Sequence, residues 1–276
     1  MTLPPDFQFN QNNIQDYVDC ARRFELKHFL KQPWPAVPSE PLMEVEKMKA
    51  MGQRFHLLVQ QDLTGIRSDE LERSINDPEL FCWWQSYKNY SSQIRAMKLE
   101  IEYPSTIPFS GFSLTAKYDL LVFHTNGKVT IIDWKTSRKR LPSINLIQRI
   151  QSIVYPFILF EFHNLFGLET IKNPEDVEML YWFTNYPDEP ERIAYSSELH
   201  KTNHRYLSSI IQEIDKTDPG DFSLTENNKL CQFCIYRSLC QRGTQAGYCD
   251  DNSYIQSEND DDLINLNFDH TGEIPF

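Results

Sequence analysis

The sequence predicts an α/β fold in which helices flank a mixed central β-sheet. Apolar residues recur at helical spacing before residue 92, alternate as in strands from about residue 97 to 134, and then return to helical spacing in two later segments. The dipeptide Asn126-Gly127, between two alternating segments, is a strong hairpin signal. Hydrophobic residues make up 40% of the 276-residue chain, which suffices for a sizeable core and argues against global disorder.

The helices and strands follow one another along the chain. The predicted helical segments are residues 13–31, 43–63, 146–166 and 196–216, with helical or irregular structure from 64 to about 92. The predicted strands are residues 97–103, 114–123, 128–134 and 176–184. Because helices precede, interrupt and follow the strands, we expect one α/β core and not separate helical and β domains.

We expect residues 1–248 to form a single domain, with a helical part at about 13–92 and a cysteine-rich segment at 231–240. Residues 249–276 are expected to form a disordered acidic tail. The chain holds 27 Lys+Arg and 39 Asp+Glu, and this tail contributes eight of the twelve excess negative charges. The net charge excludes a simple polybasic nucleic-acid binder, but an enzyme with a local basic groove remains compatible with it.

Membrane insertion and secretion are not expected. The longest apolar stretch, residues 153–166, is interrupted by Pro156 and Glu161. The N-terminus has neither the basic start nor the apolar run of a secretory signal. We therefore expect a cytoplasmic protein, in which the six cysteines bind a metal or a cluster and do not form disulfides.

Asp133 and Lys135 lie two residues apart at the end of a predicted strand, so their side chains project from the same face. A carboxylate in that place can bind Mg²⁺ or Mn²⁺, and the lysine can steady an attacking water and offset charge on a phosphate. A second carboxylate would complete the site, because hard cations prefer oxygen ligands. Asp119 on the preceding strand is the candidate.

The hairpin loop decides whether Asp119 reaches this face. A two-residue loop would place Asp119 opposite Trp134, on the wrong side of the sheet. A three-residue loop that ends in a left-handed Gly127 would place Asp119 opposite Asp133. We predict the three-residue loop.

A second cluster has the spacing Cys-x₂-Cys-x₅-Cys, formed by Cys231, Cys234 and Cys240. Thiolates at this spacing can chelate one metal centre, and soft sulfur favours an iron–sulfur cluster or structural Zn²⁺. The trio needs a fourth ligand, for which Cys249 is one candidate. Cys82, beside two tryptophans, is expected to be a buried hydrophobic thiol.

Basic residues gather around the Asp133–Lys135 strand and along the first helix. Cationic side chains at these places can follow a phosphate backbone. No base-reading motif is present, so we expect little sequence specificity. The predicted nucleic-acid contacts are Arg22, Arg23, Arg138, Lys139, Arg140 and Arg149.

Taken in order, several segments resemble the PD-(D/E)XK nuclease superfamily, in particular its RecB-like branch with a four-cysteine iron–sulfur cluster. That branch includes the CRISPR adaptation nuclease and the AddB-type nuclease domain. One segment departs from the family pattern, because it carries Ala116 where the family has glycine. The matching segments are Tyr17-Val-Asp-Cys-Ala-Arg-Arg-Phe24, Gly52-Gln-Arg-Phe-His56, Ala116-Lys-Tyr-Asp119, Asp133-Trp-Lys135 and the pair Gln151 and Tyr155.

The resemblance implies a restriction-endonuclease-like core and a role for each matching residue. Lys135 would position or activate water, while Gln151 and Tyr155, four apart on one helix face, would orient Lys135 or contact a phosphate. An upstream glutamate, Glu100 or Glu102, would lie near the metal. The implied ligands of Mg²⁺ or Mn²⁺ are His56, Asp119, Asp133 and the Trp134 carbonyl.

The resemblance also pairs Cys20 with the cysteine trio as the fourth ligand of a [4Fe-4S] cluster. It implies a metal-dependent deoxyribonuclease, expected to be an exonuclease on single strands or DNA ends. Repair, recombination or CRISPR adaptation would be the setting, with proteins of those pathways as partners. The alternatives are a non-catalytic DNA-binding accessory subunit, an RNA-directed nuclease and a zinc-stabilised interaction module.

Overall fold

The computed structural model describes residues 3–4, 6–33, 40–94, 98–138, 140, 142–166, 171–232 and 234–243, with the backbone alone for 40–46. The predicted acidic tail, Cys249 and Lys139 lie outside these residues. The chain divides into two compact units: unit 1 comprises residues 1–11 and 51–218, and unit 2 comprises 12–50 and 219–276.

Unit 1 contains a mixed β-sheet, six-stranded within the described residues. Its central strand, β3, pairs in antiparallel fashion with β2 and β4 and in parallel with β1, while β5 pairs in parallel with β4 and antiparallel with β6. The mixed sheet and its flanking helices confirm the predicted α/β fold. The strands are β1 (Gln8–Asn10), β2 (Lys98–Phe109), β3 (Phe112–Phe123), β4 (Val129–Lys135), β5 (Val177–Phe183) and β6 (Tyr186–Ala194).

Two of the longer helices begin at residues whose side chains cap them. Asp77 accepts hydrogen bonds from the N–H groups of Glu79 and Leu80, and Ser196 accepts one from the N–H of Leu199. Among the described residues, no helix is long and apolar enough to cross a membrane. The helices are α1 (Gln11–Asp19), α2 (Ala21–Phe24), α3 (Glu40–Leu63), α4 (Ser68–Arg73), α5 (Pro78–Ser91), α6 (Ser143–Gln148), α7 (Ile150–Leu165) and α8 (Ser197–Lys216).

The β3–β4 hairpin has the register that the three-residue loop requires. Leu120 pairs with Ile132, and Gly127 has a φ of 83°, in the left-handed region that glycine adopts without strain. The next position along the two strands places Asp119 opposite Asp133. The predicted loop is therefore confirmed, and with it the prediction that both carboxylates share one face.

Two predicted helices are interrupted. Cys20 is extended, with φ −163° and ψ 106°, and separates α1 from α2, after which a π-helix covers Glu25–Phe29. Arg149 has a ψ of 142° and separates α6 from α7. The hydroxyl of Ser152 donates to the carbonyl of Leu146 across this second break. Each interruption points the side chain at the break, Cys20 or Arg149, in a different direction from that in a continuous helix.

Unit 2 joins the first helices to the segment that begins at residue 219. The N–H of Arg22 donates to the carbonyl of Ser223 at 2.9 Å. The N–H of Gly220 donates to the carboxylate of Glu25 at 2.6 Å, and Glu25 is fully buried. Buried backbone–carboxylate bonds of this kind hold two chain segments that are distant in sequence.

Candidate active site

The site lies where β3 and β4 stop pairing. Their ladder ends at Leu120 and Ile132, whereas β4 remains paired with β5 as far as Lys135. The backbone of Trp134 therefore finds other partners on its open side. Its N–H donates to Oδ2 of Asp119 at 3.0 Å, and its carbonyl lies 3.0 Å from Nε2 of His56.

His56 bridges a carbonyl and a carboxylate. Because Nε2 faces the Trp134 carbonyl, it carries a proton, while Nδ1 lies 3.4 Å from Oδ1 of Asp119. Burial lowers the pKa of His56, but the carboxylates of Asp119 and Asp133 outweigh burial and raise it to about 9. The ring is thus a cation at neutral pH, and it must lose a proton before it can bind a metal.

The two aspartates have pKa values shifted in opposite directions. Burial raises the pKa of Asp133, and the negative charge of Asp119 adds to this effect. Burial also acts on Asp119, but the charge of His56 and the Trp134 N–H lower its pKa. Two carboxylates held together in this way are stabilised by nearby cations, which His56 and Lys135 provide.

Asp133, Lys135 and Gln151 form a closed triangle of polar contacts. Nζ of Lys135 lies 2.9 Å from Oδ2 of Asp133 and donates to Oε1 of Gln151 at 2.8 Å. The amide nitrogen of Gln151 donates to Oδ1 of Asp133. The structure thus brings together three residues that the sequence places 18 positions apart at most.

Tyr155 lies one turn beyond Gln151 on α7. Its ring packs edge to face on Tyr118, with 5.1 Å between the centroids. Burial raises the pKa of Tyr155 well above its usual value, and the charge of Asp133 adds to this. Tyr155 therefore stays protonated near the carboxylates and does not act as a base.

The register of β2 and β3 distinguishes the two candidate glutamates. Ile101 pairs with Leu120, so Glu102 lies opposite Asp119 and Glu100 lies one pleat further along. Glu102 has a φ of 51°, a conformation that costs energy for a residue other than glycine. Glu102 pairs with Lys117 at 2.5 Å, on the strand that carries Asp119.

The donor set fits a hard divalent cation. Asp119, Asp133 and the Trp134 carbonyl supply oxygen atoms, and Oδ2 of Asp133 is buried with the Lys135 ammonium beside it. In the same part of the chain, no three His, Cys, Asp or Glu side chains converge closely enough to hold a metal as they stand. Cations already face the carboxylate oxygens, with Lys135 2.9 Å from Asp133 and His56 3.4 Å from Asp119.

The cysteines of the predicted cluster lie together in unit 2. Burial raises the pKa of Cys234 to about 11, and the charges of Cys20 and Cys240 add to this. Burial likewise raises the pKa of Cys231 and of Cys240, and the charge of Cys20 adds to this. The four thiols therefore lie within electrostatic reach of one another, although they do not surround one point as they stand.

Cys82 is a reduced thiol that is exposed, so the prediction of a buried hydrophobic cysteine was wrong. Leu80, Trp83, Trp84 and Tyr87 form the buried face of α5. Cys82 falls outside that face because each helical residue turns by about 100°.

Most of the predicted nucleic-acid contacts are paired with carboxylates. Arg138 pairs with Glu79 at 3.2 Å, Arg140 with Glu189 at 2.9 Å, Arg22 with Glu25, and Arg23 with Asp16 at 2.8 Å. Arg149 is buried, in contrast to the exposed position that contact with a phosphate backbone requires. These carboxylates partly offset the positive charge that the other described arginines present to a phosphate backbone.

Two further residues beside the site were not predicted from the sequence. Tyr181 lies next to Asp133 on β5, and Thr136 contacts α3. A Cβ atom added to Gly52 would lie only 2.9 Å from Oγ1 of Thr136. Gly52 therefore permits the close approach of α3 that brings His56, one turn later, to the Trp134 carbonyl.

Comparisons with known proteins place this arrangement in a wider group. Residues 8–241 match the sequence profile of the PD-(D/E)XK nuclease superfamily. The crystal structure of a candidate exonuclease from Eubacterium rectale is similar, with a TM-score of 0.52, 11% identity, and coverage of 88% of this chain and 90% of that one. The crystal structure of SSO0001 matches with a TM-score of 0.36 and 16% identity, covering 84% of this chain and 85% of that one. No curated protein matches the sequence.

Proposed function

The chain belongs to the PD-(D/E)XK nuclease superfamily, and on that premise we propose that unit 1 hydrolyses DNA phosphodiesters with Mg²⁺ or Mn²⁺. Asp119, Asp133 and the Trp134 carbonyl would hold the cation, with His56 as a further ligand once it is deprotonated. When bound, the cation supplies Lewis-acid chemistry at the phosphate. The observation that carries the proposal is the placement of both aspartates on one face beside Lys135.

Lys135 would hold the attacking water and offset the charge that develops on the phosphate. An ammonium has three donors. Asp133 and Gln151 engage two of them at 2.9 and 2.8 Å, so the third remains for water or a phosphate oxygen. Gln151 also donates to Asp133. It would therefore keep the lysine and the carboxylate at a constant separation during the reaction.

The register supports Glu102, and not Glu100, as the upstream glutamate near the metal. Glu102 lies opposite Asp119, and its left-handed backbone is a strained conformation of the kind that functional sites retain. Its carboxylate would leave Lys117 when the cation binds.

The test is a cleavage assay with Mn²⁺ that compares the wild type with Asp133→Ala and Lys135→Ala. Each variant should lose roughly 100-fold or more in activity. The matched controls are Asp188→Ala and Lys201→Ala, which change exposed residues of the same types and should cleave like the wild type. Equal activity in all five proteins would reject the site, and an inactive wild type would favour the non-catalytic accessory role.

We further propose that the substrate is single-stranded DNA or a DNA end, cleaved as by an exonuclease in repair, recombination or CRISPR adaptation. Linear and circular single-stranded DNA of the same sequence, with RNA as a third substrate, would test this. Cleavage of the linear DNA alone supports an exonuclease. Cleavage of the circle indicates an endonuclease, and cleavage of RNA alone indicates the RNA-directed alternative.

For unit 2 we propose a structural [4Fe-4S] cluster bound by Cys20, Cys231, Cys234 and Cys240, with Zn²⁺ as the alternative. The support is the grouping of these four thiols in one unit and the influence of Cys20 on the pKa of the other three. Metal analysis of protein purified without oxygen distinguishes the two, because iron with acid-labile sulfide identifies the cluster and zinc identifies the alternative.

A further inference from the structure

Tyr181 stands beside the catalytic strand on the face that carries the site. It is the register partner of Asp133 in the parallel pairing of β4 and β5, and register partners project from the same face of a sheet. Its side chain is fully buried. Nζ of Lys135 lies 5.2 Å from the centre of the Tyr181 ring, within the range of a cation–π contact.

The hydroxyl end of Tyr181 is fixed as well. It lies 2.7 Å from Oγ of Ser152. Because the hydroxyl of Ser152 donates its own proton to the carbonyl of Leu146, Tyr181 is the donor in this bond. Burial holds the pKa of Tyr181 far above its usual value, so the phenol keeps that proton. The bond joins β5 to α7 just after the break between α6 and α7, and it anchors the ring in one orientation.

Lys135 therefore has a neighbour on three separate elements. Asp133 on β4 lies 2.9 Å from its Nζ, Gln151 on α7 lies at 2.8 Å, and the ring belongs to β5. A long, flexible lysine side chain loses rotamer entropy when it is fixed. The two polar contacts restrict the position of the Lys135 ammonium, and the Tyr181 ring restricts the direction from which the ammonium approaches them.

We infer that Tyr181 is a positioning residue for Lys135, and that its ring holds the ammonium where it can serve the attacking water. This inference rests on the proposed function of the site. It assigns a catalytic consequence to a residue that would otherwise be counted as core. A positioning residue for Lys135 and a purely structural residue can be told apart. A purely structural residue would affect activity whether or not Lys135 were present.

The experiment is a double-mutant cycle on the full chain with Mn²⁺ and linear single-stranded DNA. Tyr181→Leu should lower kcat by about 10-fold with little change in KM, as expected for a lost cation–π contact. Tyr181→Phe keeps the ring and should retain most of the activity. In the Lys135→Ala background, Tyr181→Leu should cause no further loss. Phe157→Leu, which changes another fully buried aromatic residue, is the control for stability and should leave kcat unchanged.

Tyr181→Met is the second variant, since its unbranched side chain refills the core better if Tyr181→Leu does not fold. Equal losses from Tyr181→Leu with and without Lys135 would overturn the inference. So would a kcat for Tyr181→Leu or Tyr181→Met that matches Phe157→Leu.

A measurement without catalysis separates this inference from the proposed function. In protein labelled with ¹³C-lysine, the signal that is absent from Lys135→Ala belongs to Lys135. Its ε-methylene protons should show an upfield ring-current shift that persists in Tyr181→Phe and disappears in Tyr181→Leu. An unshifted signal in the wild type would overturn the inference even in an active enzyme. A shifted signal in an inactive wild type would instead count against the proposed function.

Discussion

The carboxylate of Asp119 accepts the backbone N–H of Trp134 at 3.0 Å, at the first position beyond the last β3–β4 pair. One oxygen of Asp119 thus replaces a ladder partner, while the other faces His56 at 3.4 Å. The same side chain has a structural contact and an electrostatic one. Substitutions at this position can separate them.

Asp119→Asn should retain the fold but lose metal binding. An amide oxygen can still accept the Trp134 N–H, so we expect a smaller loss in the free energy of unfolding than for Asp119→Ala. Mn²⁺ affinity and cleavage should fall by roughly 100-fold or more, because the charge is lost. Isothermal titration with Mn²⁺ and thermal unfolding measure the two effects. Asp119→Ala should lose both properties, and an asparagine variant that binds Mn²⁺ normally would contradict the ligand assignment.

Gly52→Ala should disturb the active site from a distance. In most helix interiors this change stabilises by up to about 1 kcal/mol, but here the new Cβ would lie 2.9 Å from Oγ1 of Thr136. We expect a loss of about 1 kcal/mol instead, with lower activity as His56 moves from the Trp134 carbonyl.

Removal of Oγ1 supplies the control for this prediction. The Cβ of Thr136 lies at an ordinary contact distance of 3.9 Å, so Gly52→Ala combined with Thr136→Ala should regain stability and activity. Thr136→Ala alone measures the cost of the lost hydroxyl. Unfolding and cleavage assays on the four proteins complete the cycle, and a double variant as defective as Gly52→Ala would argue against the close contact.

Asp16 should contribute a pH-dependent part of the stability of unit 2. Burial raises its pKa, but His28, Arg23 and Lys27 outweigh burial and lower it from 3.8 to about 2. A carboxylate whose pKa is lower in the folded state stabilises the fold above its unfolded pKa and loses this effect as the pH falls through the folded value. Asp16→Asn should therefore cost about 2 kcal/mol at pH 7, and the difference from wild type should disappear below about pH 2.

Chemical unfolding between pH 2 and pH 7 measures this contribution. Asp69→Asn is the control, because Asp69 is exposed and its ion pairs with Arg67 and Arg73 lie in water, where such pairs contribute little. A constant difference between Asp16→Asn and wild type over the whole range would contradict the predicted linkage.

Cys20→Ala should abolish iron binding, whereas Cys82→Ala should not. The charge of Cys20 adds to the effect of burial in raising the pKa of all three cysteines of the trio. Cys82, in contrast, is exposed on α5 in unit 1. Iron and acid-labile sulfide analysis after purification without oxygen gives the result. Cys249→Ala tests the alternative fourth ligand, and loss of iron from this variant with full retention in Cys20→Ala would reverse the assignment.

The sequence was sufficient for the geometry of the hairpin. Alternation determines which residues of a strand share a face. The glycine at position 127 predicts the three-residue loop, and its φ of 83° agrees with this prediction. These two local rules placed Asp119 opposite Asp133 without any knowledge of tertiary contacts. The β2–β3 hairpin has a similar turn at Ser110 and Gly111, both with positive φ.

Other elements could not be predicted because their local patterns are weak. β6 contains Pro187 and Pro190, which favour a loop in isolation, yet an edge strand tolerates proline because its outer N–H groups have no partner strand. β1 is only three residues long. Arg149 lies in a helical pattern that gives no sign of the break at its ψ of 142°, and this break accompanies its burial.

The division of the chain into two units has a consequence for biosynthesis. Residues 12–50 of unit 2 leave the ribosome long before their partner segment, which begins at residue 219. At about 5–20 residues per second, translation of the intervening residues takes roughly 10–30 s. During that interval residues 51–218 emerge and can begin to fold. Cys20 has already been made, but Cys231, Cys234 and Cys240 have not. On the proposed ligand set, insertion of iron would be a late step in maturation, because a chain that ends before residue 219 has every proposed catalytic residue but lacks three of the four proposed cluster ligands.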